Sequence, residues 1–253
     1  MLYPKTGITD LFEPKHQWMI RDLMGENPAP FTERLHAALQ EARPDTHTVL
    51  LSSEGLFHRW WDFSPAGLEA LHLLAARAEL ELWAFFREPV AFTRSFYVQM
   101  LKNPRGLGPC YGLDASIDAL LDEPRFSLHL DYIGYIRTVE AVLGAGKVRP
   151  FRYTGNTVAN MLEALGITDL APDMPAENRS VGEWGVSLLR QINQRTLGVD
   201  EKWQAVGLIE KLDRLADGYR RPLQLAPETI QRIHALSAES VAAFARLYNL
   251  DIS

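Results

Sequence analysis

An arginine and a serine eight positions apart, Arg87 and Ser95, are of the types that can hold an anion between them. A guanidinium presents two N–H groups in a planar fork that bonds two phosphate oxygens at once, and a hydroxyl adds a third donor. The surrounding residues predict where the pair stands. An apolar run from Leu80 to Phe86 is cut off by Arg87-Glu88-Pro89, after which Val90, Phe92, Phe96 and Met100 recur at helical spacing. This reads as strand, tight turn and helix, with Arg87 at the carboxyl end of the strand and Ser95 two turns into the helix. In open α/β sheets ligands bind at that end. The competing reading is a surface Arg and a helix Ser that satisfies its own turn.

Other residues of chemical interest lie earlier in the chain. Tyr3-Pro4-Lys5-Thr6-Gly7-Ile8-Thr9 is a short loop in which the Lys5 ammonium and loop N–H groups suit a phosphate oxygen. It lacks the G-x-x-x-x-G-K-[ST] spacing of nucleotide triphosphatases, and a Lys so placed is also compatible with simple solvation. A loop of this kind normally follows a strand of about five residues, for which only Met1, Leu2 and Tyr3 precede Pro4. Glu54, in Ser52-Ser53-Glu54-Gly55, is a candidate general base able to take a proton from a substrate hydroxyl. It reads equally as a solvated carboxylate or as a partner for Arg87 or His58. His58, Trp60 and Trp61 follow as candidate walls of an acceptor pocket, or as core.

The elements that must position these residues follow from periodicity. Phe31, Leu35, Ala38 and Leu39 predict a helix between Pro30 and Ala42, and Thr46 to Ser53 reads as a strand around Val49, Leu50 and Leu51. Ser64-Pro65 opens a helix with an N-cap and a Pro at its first position. Beyond the Gly- and Pro-rich stretch Pro104–Gly112, Asp114 is expected to cap a short helix ending at Leu121. A longer helix follows from Leu130 to Gly144, then a strand from Lys147 to Tyr153 and a helix that stops at Gly166. The rest is helical: Ser180 with Glu183 matches a capping box. Trp203, Val206, Ile209, Leu212 and Leu215 form one apolar stripe, and Ile230, Ile233, Leu236, Val241, Phe244 and Leu247 another. The expectation is one α/β domain over residues 1–253, a parallel sheet flanked by helices in residues 1–166 and a helical part in 167–253.

With 47% hydrophobic and 23% charged residues, the 253-residue chain has the composition of a globular protein with a full core. Its net charge of −6 argues against a broad nucleic-acid surface and leaves room for a small basic pocket. A lone Cys110 excludes an internal disulfide framework and a multi-Cys metal site. No stretch reaches the roughly 20 apolar residues of a membrane span, so a cytoplasmic location is expected. The helical stripes leave a homodimer open.

Two of these motifs, taken in order, resemble those of the sulfotransferases that use 3′-phosphoadenosine 5′-phosphosulfate (PAPS). Arg87-Glu88-Pro89 with Ser95 is similar to the family's 3′-phosphate motif, and Tyr3-Pro4-Lys5-Thr6-Gly7 resembles its 5′-phosphosulfate loop, Y-P-K-[ST]-G-T. Arg152-Tyr153 resembles the start of the family's R-Y-E-D-L segment, and Ser52-Ser53-Glu54 is similar to bacterial sulfotransferase-like proteins in which a Glu replaces the His base. The resemblance covers roughly residues 1–166. It implies a P-loop-like sulfotransferase fold and transfer of a sulfuryl group from PAPS to a hydroxyl of a carbohydrate or other small molecule, with no metal. Lys5, Thr6, Gly7 and Thr9 would hold the phosphosulfate, Lys5 neutralising the leaving phosphate. Arg87 and Ser95 would clamp the 3′-phosphate, Tyr153 would lie near the adenine, and Glu54 would act as base. Ile8 stands where the family has a Thr, Thr154-Gly155 replaces the acidic pair, and an R-K-G loop is absent near the carboxyl end. These departures define the alternative, a non-catalytic protein of the same fold with a nucleotide-like or protein-binding crevice.

Overall fold

The computed structural model describes residues 1–8, 15–155, 157–167, 181–216 and 221–252. It is an α/β structure, mostly helical, with a sheet of two parallel strands. The elements in order are α1 (Trp18–Met24), α2 (Ala29–Gln40), α3 (Gly55–His58), a 3₁₀ turn (Trp60–Asp62), α4 (Pro65–Ala75), β1 (Leu82–Phe86) and α5 (Pro89–Lys102). After these come α6 (Ile117–Leu121), α7 (Pro124–Ser127), α8 (Tyr132–Leu143), β2 (Val148–Arg152), α9 (Thr157–Ala164), α10 (Glu183–Asn193), α11 (Val199–Leu215) and α12 (Pro227–Tyr248). The chain forms two compact units, one of Met1–Ala84 with Tyr135–Arg149, the other of Phe85–Gly134 with Pro150–Ser253.

In the first unit α1 packs against α2 and α4. Trp18, Met19, Ile20 and Leu23 of α1 are buried, as are Phe31 and Ala38 of α2 and Leu71 of α4. Arg34 of α2 bonds both carboxylate oxygens of the buried Asp22, at 2.7 and 2.5 Å. Both bonds come from the single nitrogen Nη1, a charge-assisted pair for a buried carboxylate. The start of α4 follows the sequence expectation: Ser64 accepts from the Gly67 N–H at 2.9 Å, and Pro65 takes the first helical position, where a missing N–H costs nothing.

The stretch Thr46–Ser53 is not a strand. It contributes one isolated parallel bridge, Leu2 with Val49, in which the Leu2 N–H donates to Thr48 O and the Leu50 N–H to Leu2 O, both at 2.8 Å. A ladder needs a donor at every second residue, and Pro4, two residues on, has none. The three-strand parallel expectation is corrected to β1 and β2 alone among the described residues. Their register is marked by the Leu82 N–H on Lys147 O at 2.8 Å and the Tyr153 N–H on Phe86 O at 2.7 Å. Ala84, Phe86 and Val148 are buried on one face, while Phe85 stacks on Phe151 on the other, centroids 5.0 Å apart.

In the second unit α5 is the central element, packed against α10, α11, α12 and α6. Val90, Phe96, Tyr97, Val98, Met100 and Leu101 from α5 join Leu189, Val206, Ile209 and Ile233 in one apolar cluster. The short helix α6 is capped by Ser116, not by Asp114 as the sequence suggested: the Ser116 hydroxyl accepts from the Ala119 N–H at 3.3 Å. Ser180 of the expected capping box lies outside the described residues, and Gly182 is the N-cap of α10.

The two late stripes are only half core. On α11 the buried residues are Lys202, Val206, Ile209 and Asp213, while Trp203, Leu212 and Leu215 are exposed. On α12 they are Thr229, Ile233, Ser237, Ser240 and Phe244, with Leu236 and Leu247 exposed. Each polar member of these seams has a partner that explains its place. The Ser240 hydroxyl accepts from the Ile133 N–H at 3.0 Å, satisfying an amide in the first turn of α8, and the Asp213 carboxylate accepts from the Gly182 N–H at 3.0 Å.

Candidate functional site

The Pro4–Ile8 loop of the first unit closes as a turn in which the Ile8 N–H donates to Lys5 O at 3.1 Å and Gly7 has φ 70°. A positive φ at the third residue suits Gly, and a Cβ there would stand 2.6 Å from Cδ1 of Trp18. The donors of the loop converge on one carboxylate. Lys5 N–H bonds Glu41 Oε2 at 2.8 Å, Thr6 N–H bonds Glu41 Oε1 at 2.8 Å, and the Thr6 hydroxyl donates to the same Oε1. Glu41 is the C-cap of α2, at the negative end of that helix, so its charge needs donors from elsewhere. The Thr6 hydroxyl first, then the Lys5 N–H, hold its carboxyl below the usual carboxylate range. The Lys5 side chain is exposed. Thr9, the fourth residue expected in the loop, lies outside the described residues.

Behind the loop sits His16, fully buried. Its Nδ1 accepts from the Ser52 N–H at 3.1 Å and its Nε2 lies 3.0 Å from Pro4 O, which fixes the neutral tautomer with the proton on Nε2. Burial lowers its pKa below the ordinary 6.5, outweighing the bond to Pro4 O. The neutral ring therefore contributes stability that is complete above pH 6.5 and is withdrawn as the pH falls through the depressed folded-state value. Urea unfolding from pH 7 to pH 5 is expected to show a loss of stability in the wild type and a flatter profile in His16→Asn. Equal slopes would show that His16 does not carry the acid sensitivity.

Glu54 is exposed, and its Oε1 lies 3.1 Å from Nζ of Lys15. Its sequence-expected partners Arg87 and His58 are not the ones found. Trp60 is buried in the core against Phe63 and Tyr135, with centroids 5.4 and 6.3 Å away. Trp61 is half-buried, 5.7 Å from the Tyr135 ring, and His58 lies beside Phe57 at 5.6 Å. Of the three candidate pocket residues, Trp60 is thus an interior residue, and His58 and Trp61 retain accessible surface.

Arg87, Ser95 and Tyr153 belong to the second unit. Arg87 directly follows β1, and its carbonyl accepts from the Tyr132 hydroxyl at 2.7 Å. That hydroxyl is held far above its ordinary range by burial first, then by the neighbouring Glu88 carboxylate, so it serves as a fixed donor. Glu88 caps α5, accepting from the Val90 and Ala91 N–H groups at 2.7 Å each, with Pro89 at the first helical position. These two helix-end donors are therefore engaged, and a ligand here would rely on side chains. The Arg87 guanidinium is half-buried, sits 5.3 Å from the Tyr153 ring centroid and pairs with no carboxylate among the described residues. Ser95 is exposed on α5. Beyond β2, Asn160 of α9 ties down the turn, donating to Arg152 O at 3.1 Å with its Oδ1 3.2 Å from the Thr154 hydroxyl. The bond to Thr154 is thus local to this turn.

Sequence reasoning missed Glu41, His16 and Lys15. Glu41 read as the last polar residue of a helix, and nothing in its spacing indicated a loop 35 residues away in sequence. Among the described residues no cluster of three or more His, Cys, Asp or Glu is arranged to hold a metal, and no helix is long and apolar enough to cross a membrane. Comparison of the chain with protein-family models, with curated proteins and with solved structures finds no match.

Proposed function

We propose that this chain is a PAPS-dependent sulfotransferase with a P-loop-like sulfotransferase fold that transfers a sulfuryl group to a hydroxyl of a carbohydrate or other small molecule. The observation that carries the reading is the Arg87 guanidinium. It is half-buried at a strand-to-helix turn, has no carboxylate partner among the described residues, and lies over the Tyr153 ring, with the exposed Ser95 hydroxyl on the following helix. A 3′-phosphate needs a planar fork and a hydroxyl, and an adenine needs an aromatic face. In the first unit, Lys5 and Glu54 are both exposed and of the types needed to neutralise a leaving phosphate and to accept a hydroxyl proton. In the transfer the acceptor oxygen forms its bond to sulfur as the bond from sulfur to the phosphate oxygen breaks, and the proton passes to the carboxylate. Such chemistry asks mainly for positioning and charge stabilisation.

One observation favours the second reading, a non-catalytic protein of the same fold: the donors of the Lys5–Thr6 loop are bonded to Glu41. Thermal unfolding with adenosine 3′,5′-bisphosphate tests the nucleotide binding that the transfer requires. At about 100 times the dissociation constant a ligand adds roughly 2.7 kcal/mol, a rise in the midpoint of about 5 to 10 °C for a chain of this size. The rise is expected in the wild type and is expected to vanish in Arg87→Ala. Its absence at millimolar nucleotide would overturn the enzyme reading, and binding without turnover of PAPS across a panel of hydroxyl acceptors would favour the non-catalytic one.

A further inference from the structure

We propose that Glu41 is a displaceable internal ligand of an oxyanion site on the Lys5–Thr6 loop, and that a sulfate or phosphate group enters only by taking the carboxylate's place. The inference rests on the sulfotransferase reading for the class of anion and on the geometry for the site itself. Three donors from two consecutive residues converge on both oxygens of one carboxylate: the Lys5 N–H, the Thr6 N–H and the Thr6 hydroxyl. A carboxylate and one face of a tetrahedral oxyanion present the same feature to such donors, two charged oxygens on one atom.

The loop owes its shape to contacts other than Glu41. Pro4 O is held by the buried His16, Leu2 is bridged to Val49, the Tyr3 hydroxyl lies 2.5 Å from the Ser52 hydroxyl, and the turn closes through Ile8 N–H at Gly7. When the carboxylate leaves, the donors therefore stay where they are, and an arriving anion meets a formed site. Glu41 is half-exposed at the last turn of α2, so its side chain can rotate into water without unpacking the helix. The loop thus exists in two states, one closed by its own carboxylate and one open to an external anion. The affinity of the external anion is reduced by the fraction of time the loop is closed.

Calorimetric titration with sodium sulfate at constant ionic strength tests this on the full chain, using the wild type, Glu41→Ala and Glu41→Gln. Sulfate is expected to bind both variants at least about tenfold more tightly than the wild type, and Thr6→Val added to Glu41→Ala is expected to cancel the gain. Equal sulfate affinity in the wild type and both folded variants would overturn the proposal. So would failure of both variants to fold by circular dichroism, because the carboxylate would then be a fixed structural tie. A parallel titration with adenosine 3′,5′-bisphosphate separates the two readings. Sulfate binding gained in the variants without any nucleotide binding would sink the sulfotransferase reading and keep this one. Arg87-dependent nucleotide binding with unchanged sulfate affinity would do the reverse.

Discussion

Gly67→Ala is expected to destabilise the first unit by about 3 kcal/mol, at the upper end of what overpacking costs. A Cβ at position 67 would stand 2.1 Å from Leu23 O and 3.0 Å from its Cα, so the clash is with main chain at the end of α1. The segment is held there from three sides: the Ser64 N–H donates to Leu23 O at 3.0 Å, the Ser64 hydroxyl to Gly25 O at 2.7 Å, and the Gly67 N–H to the Ser64 hydroxyl at 2.9 Å. Relief of the clash must give up that cap or the packing of α4 on α1. Gly207→Ala supplies the contrast, because a Cβ in the middle of α11 meets nothing within 4 Å. That substitution is expected to raise stability by about 0.5 to 1 kcal/mol through the helix preference of Ala. Urea unfolding of the two variants beside the wild type reads both. A Gly67→Ala loss below about 1 kcal/mol would mean that the helices separate at little cost.

The second large effect is expected at Asn193. Its side-chain amide donates to Leu101 O at 3.0 Å and to Leu113 O at 2.6 Å, and its Oδ1 accepts from the ammonium of Lys202, which also bonds Leu101 O at 2.9 Å. Both residues are buried. Asn193→Ala would leave a buried ammonium with a single acceptor and strip the Leu113 carbonyl of this donor, a loss of about 3 kcal/mol. Lys202→Met added to it removes the charge that lacks a partner, so the double variant is expected to be more stable than Asn193→Ala alone. The reverse order would show that the amine is not what Asn193 serves. Burial pulls the Lys202 pKa from 10.5 down to about 8. The unfolded chain therefore holds the proton that the folded chain gives up between these values, and stability is expected to climb as pH rises, by about 1.4 kcal/mol from pH 7 to pH 9. Lys202→Met should lack that climb.

What the sequence made legible is tied to local chemistry. An apolar run ended by Arg87-Glu88-Pro89 gave β1, the turn and α5 nearly to the residue, because the Pro at the first helical position and the Glu cap act within one turn. Ser64-Pro65 and the glycines at 144 and 166, both at positive φ, marked helix ends for the same reason. Val49-Leu50-Leu51 misled, because a strand exists only through its neighbour and the neighbour here, among the described residues, is Leu2 alone. On α11 the apolar stripe pointed to Trp203, Leu212 and Leu215, whereas the buried seam turns toward Lys202 and Asp213. The acceptors that admit Lys202, Asn193 Oδ1 and Leu101 O, come from other helices, and no periodicity within α11 encodes them. The sequence singled out Arg87 and Tyr153, which the fold places 5.3 Å apart, while Glu41 and His16 became visible only once distant segments met.

The interleaving of the two units along the chain bears on how the protein is made. The first unit needs Met1–Ala84 and also Tyr135–Arg149, which begins 51 residues after Ala84. At about 5 to 20 residues per second the ribosome takes roughly 3 to 10 s over that distance. Throughout that interval the nascent segment carrying Phe57, Trp60 and Trp61 waits for Tyr135, the ring all three pack against. The first unit is therefore not complete when its amino-terminal segment alone has emerged. A fragment cut at Ala84 would leave Phe57, Trp60 and Trp61 without the ring that they pack against.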